Sequence, residues 1–200
     1  MPKAPIRVLF LDDDRGVAEV TKEALASRGI DVIGLTSTVE ETVARAASER
    51  PDLIVADIDI AGVLALGLPA KLPANGPQVL WYSGHDERYR VAAARAGGAG
   101  SVSKRAGFEE LVSAIRRVAD GEITWRQADI RAARDSPEPP SARELQVLAG
   151  VATGRSNKKI AADLGITERT VESHVRRMHD RYGVSNRIEL VRLARTSGWG

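Results

Sequence analysis

The sequence predicts two parts: a doubly wound α/β domain with a five-stranded parallel sheet, then a small all-α domain. Three observations lead there. Short apolar runs alternate with helical patterns through the first 120 residues, and the last 60 carry no strand pattern. Between them lies RAARDSPEPP, with three prolines in its last four positions and no apolar periodicity. Alternating strands and helices bury both faces of a parallel sheet, whereas helices alone build a bundle.

The apolar runs are Ile6–Leu11, Val32–Leu35, Leu53–Ala56, Val79–Tyr82 and Ser101–Val102. Branched residues dominate most of them, as buried strands require. The last is short and is assigned from its place in the alternation. Helical faces fall at Val17, Val20, Ala24 and Leu25, at Thr42, Val43 and Ala46, and at Leu111, Ala114, Ile115 and Val118. The stretch 61–77, with three glycines and three prolines, has the weakest pattern. The tail divides into helices over Ser141–Thr153, Asn157–Leu164, Glu168–Tyr182 and Asn186–Ser197, with Gly154, Gly165 and Gly183 as stops. Ser141 and Glu144 have capping-box spacing. The expected division is 1–122, a linker at 123–137, and 138–200.

Composition narrows the function. The 200 residues contain no cysteine, which excludes disulfides, thiolate zinc sites and cysteine nucleophiles and fits a reducing compartment such as the cytoplasm. The apolar run at the start is too short for a signal peptide or a membrane span, and no stretch approaches 18 uninterrupted apolar residues. The overall charge of +2 conceals an asymmetry. Residues 1–120 hold 15 Lys and Arg against 17 Asp and Glu, while residues 141–200 hold 11 against 6. A mildly acidic front and a basic back imply different partners, the back being the candidate for nucleic acid.

In an open parallel sheet, functional groups gather at the carboxyl ends of the strands. Asp12, Asp13 and Asp14 come after the first strand; Asp57 and then Asp59 after the third; Ser83 after the fourth and Lys104 after the fifth. If these strands are neighbours, carboxylates, a hydroxyl and an ammonium meet at one edge. Crowded carboxylates repel unless a cation joins them, and hard oxygen donors suit Mg²⁺. Asp57 is then a candidate nucleophile, with Ser83 and Lys104 in reach of phosphoryl oxygens. A lone Asp after a strand is as readily a helix cap or turn residue; the full set carries the argument. His85 reads as a loop histidine that flanks the site.

VLFLDDD, PDLIVADIDIAG, VLWYSGHDE and GAGSVSK, in this order and spacing, resemble the receiver domain of two-component response regulators over roughly residues 5–120. The resemblance implies that Asp57 is the phosphoacceptor. It implies that Asp12 and Asp13 hold Mg²⁺ with Asp57 and the main-chain carbonyl of Asp59. Ser83 would be the switch hydroxyl, and Lys104 would pair with the phosphoryl group. Three positions depart from the pattern. Ala61 stands where the family usually has proline, Ser101 where it has a large aromatic that rotates on activation, and Arg105 where proline is frequent.

In the third tail helix, Val171, Val175, Met178 and Tyr182 form one stripe at 100° per residue. Arg169, Ser173, Arg176 and Asp180 point the other way, with Glu172 and Arg177 on the flanks. A short helix, a glycine turn and this second helix read as a helix-turn-helix for double-stranded DNA. Arg176 suits guanine, Glu172 suits cytosine, and Ser173 is permissive. Lys158, Lys159, Arg169, Thr170 and Arg177 suit phosphates, and Thr167 caps the helix. His174 sits at the edge of the inner stripe, for packing or phosphate contact. The stretch SARELQVLAGVATGRSNKKIAADLGITERTVESHVRRMHDRYGVSNRIELV resembles the LuxR-type helix-turn-helix of NarL/FixJ response regulators, a likeness that extends over about residues 138–197. That resemblance places Glu172, Ser173 and Arg176 toward the bases. It makes the last helix, around Ile188, Leu190, Val191, Leu193 and Ala194, a dimerisation element.

The combined reading is a DNA-binding transcriptional regulator, not an enzyme by purpose, switched when a sensor histidine kinase phosphorylates Asp57 and acting as a homodimer. The alternative is a transcription factor whose receiver ignores phosphate, motivated by Ser101 and Ala61. A Mg²⁺-dependent phosphatase would share the carboxylates, but no cap domain accompanies them. An RNA-binding protein would share the basic tail.

Overall fold

The computed structural model describes residues 4–84, 89–135, 137–197 and 199. The chain divides into two compact units, Met1–Arg134 and Asp135–Gly200.

The first unit contains β1 (Ile6–Leu11), α1 (Arg15–Ala26), β2 (Ile30–Thr36), α2 (Val39–Glu49) and β3 (Leu53–Ala56). A hairpin comes next, β4 (Asp59–Ile60) and β5 (Val63–Leu64), then a turn of 3₁₀ helix and the short α3 (Leu68–Lys71). The unit is completed by β6 (Gln78–Ser83), α4 (Arg90–Ala96), β7 (Gly100–Ser103), α5 (Phe108–Ala119) and α6 (Gln127–Asp135). Five strands pair in parallel in the order β2-β1-β3-β6-β7. Thus β1, β3, β6 and β7 are neighbours, as convergence of the strand-end residues requires.

Side chains alternate between two cores. Val8, Phe10, Val55, Leu80 and Val102 pack with Leu25, Leu111 and Ile115 on one face. Leu9, Leu11, Ile54, Ala56 and Trp81 pack with Ala46, Leu68 and Ala93 on the other. Both faces are covered, which explains the uninterrupted apolar runs. Each fully buried Leu or Ile contributes roughly 1.5–3 kcal/mol relative to exposure.

Four expectations need correction. Val20 is 72% exposed, because the inner line of α1 runs through Thr21 and Leu25, four residues apart; the side chain of Val17 lies outside the described residues. The hairpin after Asp57 has no counterpart in the sequence pattern. Its two-residue loop, Ala61 and Gly62, has φ of +50° and +84°, the mirror-image turn that suits a tight hairpin. A proline at 61 is impossible there, because its ring holds φ near −65°; this accounts for the first departure from the family pattern. The segment 123–137, expected as linker, is in large part folded. Thr124 donates its N–H to the Ala99 carbonyl at 2.6 Å, Trp125 Nε1 donates to the Gly98 carbonyl at 3.0 Å, and α6 comes after them. The helix escapes the sequence pattern because its buried anchor is a carboxylate, Asp129, rather than an apolar stripe. In the last helix, Leu190 and Ala194 are fully buried in their own core. Among the described residues, only Ile188, 81% exposed, offers a large exposed apolar side chain on that element.

The second unit holds α7 (Ala142–Ala152), α8 (Asn157–Leu164), α9 (Glu168–Tyr182) and α10 (Arg187–Ser197), within one or two residues of the predicted helices. The capping box is formed: Ser141 Oγ accepts from Glu144 N, and Glu144 Oε2 accepts from Ser141 N at 2.9 Å. Glu144 is buried and also takes a two-pronged contact from the Arg181 guanidinium, both arms at 3.1 Å. Val147, Leu148, Val151, Ile160, Val171, Met178, Leu190 and Ala194 form the core. A Cβ on Gly150 would stand 2.6 Å from Ile160 Cγ1, so the close approach of α7 and α8 needs glycine. Among the described residues, no helix is long and apolar enough to cross a membrane.

Candidate functional site

Strand order brings the predicted acidic residues to one edge. Asp12 comes after β1 and is buried, its N–H bonded to the Thr36 carbonyl on β2 at 3.0 Å. Asp57 comes after β3, its N–H bonded to the Leu11 carbonyl at 2.8 Å. Lys104 comes after β7, its N–H bonded to the Ser83 carbonyl at 2.9 Å. These ladder bonds continue the sheet past its formal end and set the side chains facing one another.

Lys104 Nζ lies 2.6 Å from Asp12 Oδ2 and 2.6 Å from Asp57 Oδ2. The side chains of Lys104, Asp12 and Asp57 are 21%, 4% and 12% exposed, respectively, so little water screens the pairing. Burial pulls the Lys104 ammonium toward a lower pKa. The hydrogen bonds and charges of Asp12 and Asp57 outweigh burial and hold it above the usual lysine value. The ammonium also sits 5.8 Å from the centre of the Tyr82 ring, at the outer limit of a cation–π contact. Burial raises the Tyr82 hydroxyl's pKa, Lys104 opposes the rise and Asp12 adds to it.

The remaining predicted residues are placed less centrally. Asp13 is exposed, and its Oδ2 accepts from Ala61 N at 3.0 Å, tying the hairpin to the site. Asp59 turns its carboxylate back on its own hairpin, accepting from Gly62 N at 2.8 Å. Ser83 is buried at the end of β6. His85 lies outside the described residues. Asp12, Asp13 and Asp57 offer hard oxygens, the donor type Mg²⁺ takes. Among the described residues no three such groups converge on one point, and the Lys104 ammonium lies between Asp12 and Asp57. The donor set fits the ion in kind.

The second unit presents the other candidate surface. Ser156 caps α8 by accepting from Lys159 N. Gly165 ends it at φ +63°, and Thr167 opens α9 by accepting from Thr170 N at 3.1 Å. The stop, turn and cap span three residues, which fixes the angle between α8 and α9. Val171 and Met178 are fully buried, and Arg169, Glu172, Arg176 and Arg177 are exposed or partly exposed on the other sides of the helix. Ser173 and Thr170 are half-buried. Lys158 is exposed, whereas the Lys159 ammonium pairs with Asp163 at 3.1 Å. His174 is half-buried, and its Nδ1 has no hydrogen-bond partner among the described residues. Burial, then Arg177, lowers its pKa, Glu144 opposes this, and Arg143 adds to it. The sequence pattern does not reveal that Arg181 and Glu144 clamp α9 to the α7 cap. The capping-box spacing is visible there, but not its distant partner.

Two family models match the chain. "Response regulator receiver domain" covers residues 8–116, and "Bacterial regulatory proteins, luxR family" covers residues 139–194. The chain belongs to the response regulators. Its receiver is joined to a LuxR-type DNA-binding domain, and its relatives are two-component transcriptional regulators. The transcriptional regulatory protein UhpA of Escherichia coli is 31% identical over 97% of this chain and 100% of its own. The nitrate/nitrite response regulator NarL of Escherichia coli is 30% identical over 92% and 93%. Among solved structures, the response regulator ChrA of a heme-sensing two-component system is 30% identical, covers 99% and 100%, and superposes with a TM-score of 0.54.

Proposed function

We propose that this response regulator accepts a phosphoryl group on Asp57 from a sensor histidine kinase and, as a homodimer, binds double-stranded DNA through α9. The reading assigns 1–122 to the receiver and 138–200 to DNA binding, with 123–137 between them, and puts the protein in the cytoplasm. The observation that carries it is Lys104 bridging Asp12 and Asp57 at 2.6 Å on each side. A half-buried ammonium between two carboxylates gives the phosphoryl group a cationic partner beside the Asp57 carboxylate.

In the transfer, a carboxylate oxygen of Asp57 attacks the phosphorus of a phosphohistidine. The P–N bond breaks, and its electron pair returns to the departing imidazole, which takes up a proton. Lys104 turns from the Asp57 carboxylate to the new phosphoryl oxygens. Ser83, at the end of the adjacent strand, supplies a hydroxyl to them. Asp12 and Asp13, with Asp57 and the Asp59 carbonyl, would hold Mg²⁺. When bound, the ion supplies charge neutralisation between phosphoryl oxygens and carboxylates.

On DNA, Glu172, Ser173 and Arg176 face base edges. Lys158, Arg169, Thr170 and Arg177 contact phosphates, and the capped start of α9 at Thr167 presents amides to one. Lys159 joins them by exchanging Asp163 for phosphate. His174 serves as packing or phosphate contact at the edge of the inner stripe.

The test is intact mass after acetyl phosphate with Mg²⁺, on wild type and Asp57→Asn. A gain of one phosphoryl group in wild type alone supports the reading. No gain, together with no beryllofluoride adduct, overturns it in favour of a receiver that ignores phosphate.

A further inference from the structure

We infer that the main-chain N–H of Ala61 is a positioning group for Mg²⁺: it holds Oδ2 of Asp13 and leaves Oδ1 to the ion, so that the β4–β5 hairpin and the metal stabilise each other. This rests on the Mg²⁺ reading above and adds to it a group outside the carboxylate set.

The tight loop of the hairpin supplies the donor. Asp59 pairs with Leu64 and Ile60 with Val63, so the ladder stops at Ile60 and Val63. The amides of the two loop residues, Ala61 and Gly62, fall outside that ladder, and each needs another acceptor. Both find a carboxylate. Gly62 N donates to Asp59 Oδ1 at 2.8 Å, which closes the loop on itself. Ala61 N donates to Asp13 Oδ2 at 3.0 Å, which ties the loop to the end of β1, 48 residues earlier.

The same hairpin reaches the phosphoacceptor. Asp59 N donates to Asp57 Oδ1 at 3.3 Å, while Lys104 takes Asp57 Oδ2. Asp59 also carries the carbonyl assigned to the ion above. Across residues 59–61 the hairpin therefore touches Asp57, supplies one metal donor and orients another.

Orientation matters most for Asp13. Asp12 is buried, and its two oxygens are fixed by Asp14 N at 2.9 Å and by Lys104 Nζ at 2.6 Å. Asp13 is exposed, so its direction is set by hydrogen bonding and not by packing. An amide donating to a carboxylate makes a charge-assisted bond. A carboxylate turned to its working direction in advance costs the incoming ion less ordering. A proline at 61, the residue of the family pattern, carries no N–H and cannot make this bond. The departure at 61 thus adds a contact behind a metal donor. Coupling between two binding events is reciprocal, so what the hairpin gives to the ion the ion returns to the hairpin.

Isothermal titration calorimetry with MgCl₂ on the full chain tests this, across wild type, Ala61→Gly and Ala61→Pro. Ala61→Gly keeps both the N–H and the left-handed loop, and should bind within about twofold of wild type. Ala61→Pro removes the donor and should weaken binding about tenfold, the low end of what losing a partner behind a metal ligand costs. ¹⁵N relaxation of the amides of 59–64 gives the reciprocal readout: their order parameters should rise when Mg²⁺ is added to wild type. Without Mg²⁺, Asp13→Ala should lower them. Asp13→Asn should not, because its side-chain carbonyl still accepts from Ala61 N. That pair decides the matter if Ala61→Pro does not fold. Wild-type affinity in folded Ala61→Pro, equal weakening by Ala61→Gly, or a hairpin in Asp13→Ala as ordered as in wild type overturns the positioning role alone. Order parameters unmoved by Mg²⁺ that does bind also overturn it. No binding of Mg²⁺ by wild type overturns both the positioning role and the Mg²⁺ reading.

Discussion

The acidic edge of the receiver and the outer face of α9 solve opposite problems. At the acidic edge, charged groups from three strands far apart in sequence are turned inward and satisfy one another, with Lys104 between Asp12 and Asp57. On α9, charged groups from one local stretch are turned outward, and the apolar stripe of Val171 and Met178 carries the folding energy. The contrast teaches that a reaction site draws on tertiary convergence and is sensitive to each member. A binding face draws on helical period and tolerates loss residue by residue.

The sharpest way to break this contrast is to remove one member on each side. Lys104→Ala leaves buried Asp12 and half-buried Asp57 without a counter-charge. In Mg²⁺-free buffer it should cost about 2–4 kcal/mol of receiver stability, read by urea denaturation, and abolish phosphoryl gain from acetyl phosphate. A loss below about 0.5 kcal/mol would show that the pairing is exchangeable with water, as on a surface. On the other side, Glu144→Ala should cost about 1–3 kcal/mol, since it removes half of the capping box and the partner of Arg181. It should do so by loosening α9, not by changing the outer face.

Arg176→Ala should cost about 1–3 kcal/mol at its own base pair and relax preference there, whereas Lys158→Ala should weaken all sequences alike. Binding measured against a randomised operator library separates the two; uniform loss for Arg176→Ala would remove it from base reading. Affinity should also fall steeply with salt, as roughly four to eight phosphate contacts per domain imply.

Acid sharpens the contrast further. Burial opposes ionisation of Glu144, but the Ser141 backbone and hydroxyl and the Arg181 guanidinium prevail and hold its pKa below the ordinary value. Its contribution is present above that ordinary value, about 4.3, and is lost as pH falls through the lower folded one. His174, also depressed, costs nothing above about pH 6.5, where both states are neutral, and stability falls below that pH as the unfolded ring gains its proton first. Lys104 is raised, so its contribution is complete below about pH 10.4 and is lost only as pH rises through the higher folded value. The melting temperature of the second unit should therefore fall in two steps on acidification from pH 7, the first near the histidine range and the second below the carboxylate range. The smallest effect expected is Ala61→Gly, which relieves a left-handed alanine and should stabilise the receiver by about 0.5–1 kcal/mol.

Most of the fold is legible in the sequence because it rests on local period. Parallel strands are visible as apolar runs, and the tail helices through their caps and glycine stops. The elements that escape depend on distant partners. The β4–β5 hairpin needs left-handed backbone at Ala61, a residue that carries no turn signal, and α6 is anchored by the buried carboxylate of Asp129. Site residues are legible as strand-end chemistry. Their actual pairing is not, since nothing in the spacing distinguishes Asp12, which faces Lys104, from Asp13, which faces the hairpin. The exposed face of α9 follows from its helical period, and the engagement of Lys159 with Asp163 follows from their i,i+4 spacing on α8.

The all-parallel order β2-β1-β3-β6-β7 has a consequence for how the chain reaches this state. Every ladder in that sheet closes a loop that spans at least one intervening helix or hairpin, so the entropy of long-range closure precedes any reward. The helices of the second unit meet neighbours across turns of three or four residues, which places it among fast-folding topologies. After dilution from denaturant, helical signal from 142–197 should return well before Trp81 is buried. On a ribosome, the part that emerges first is thus the part that finishes last.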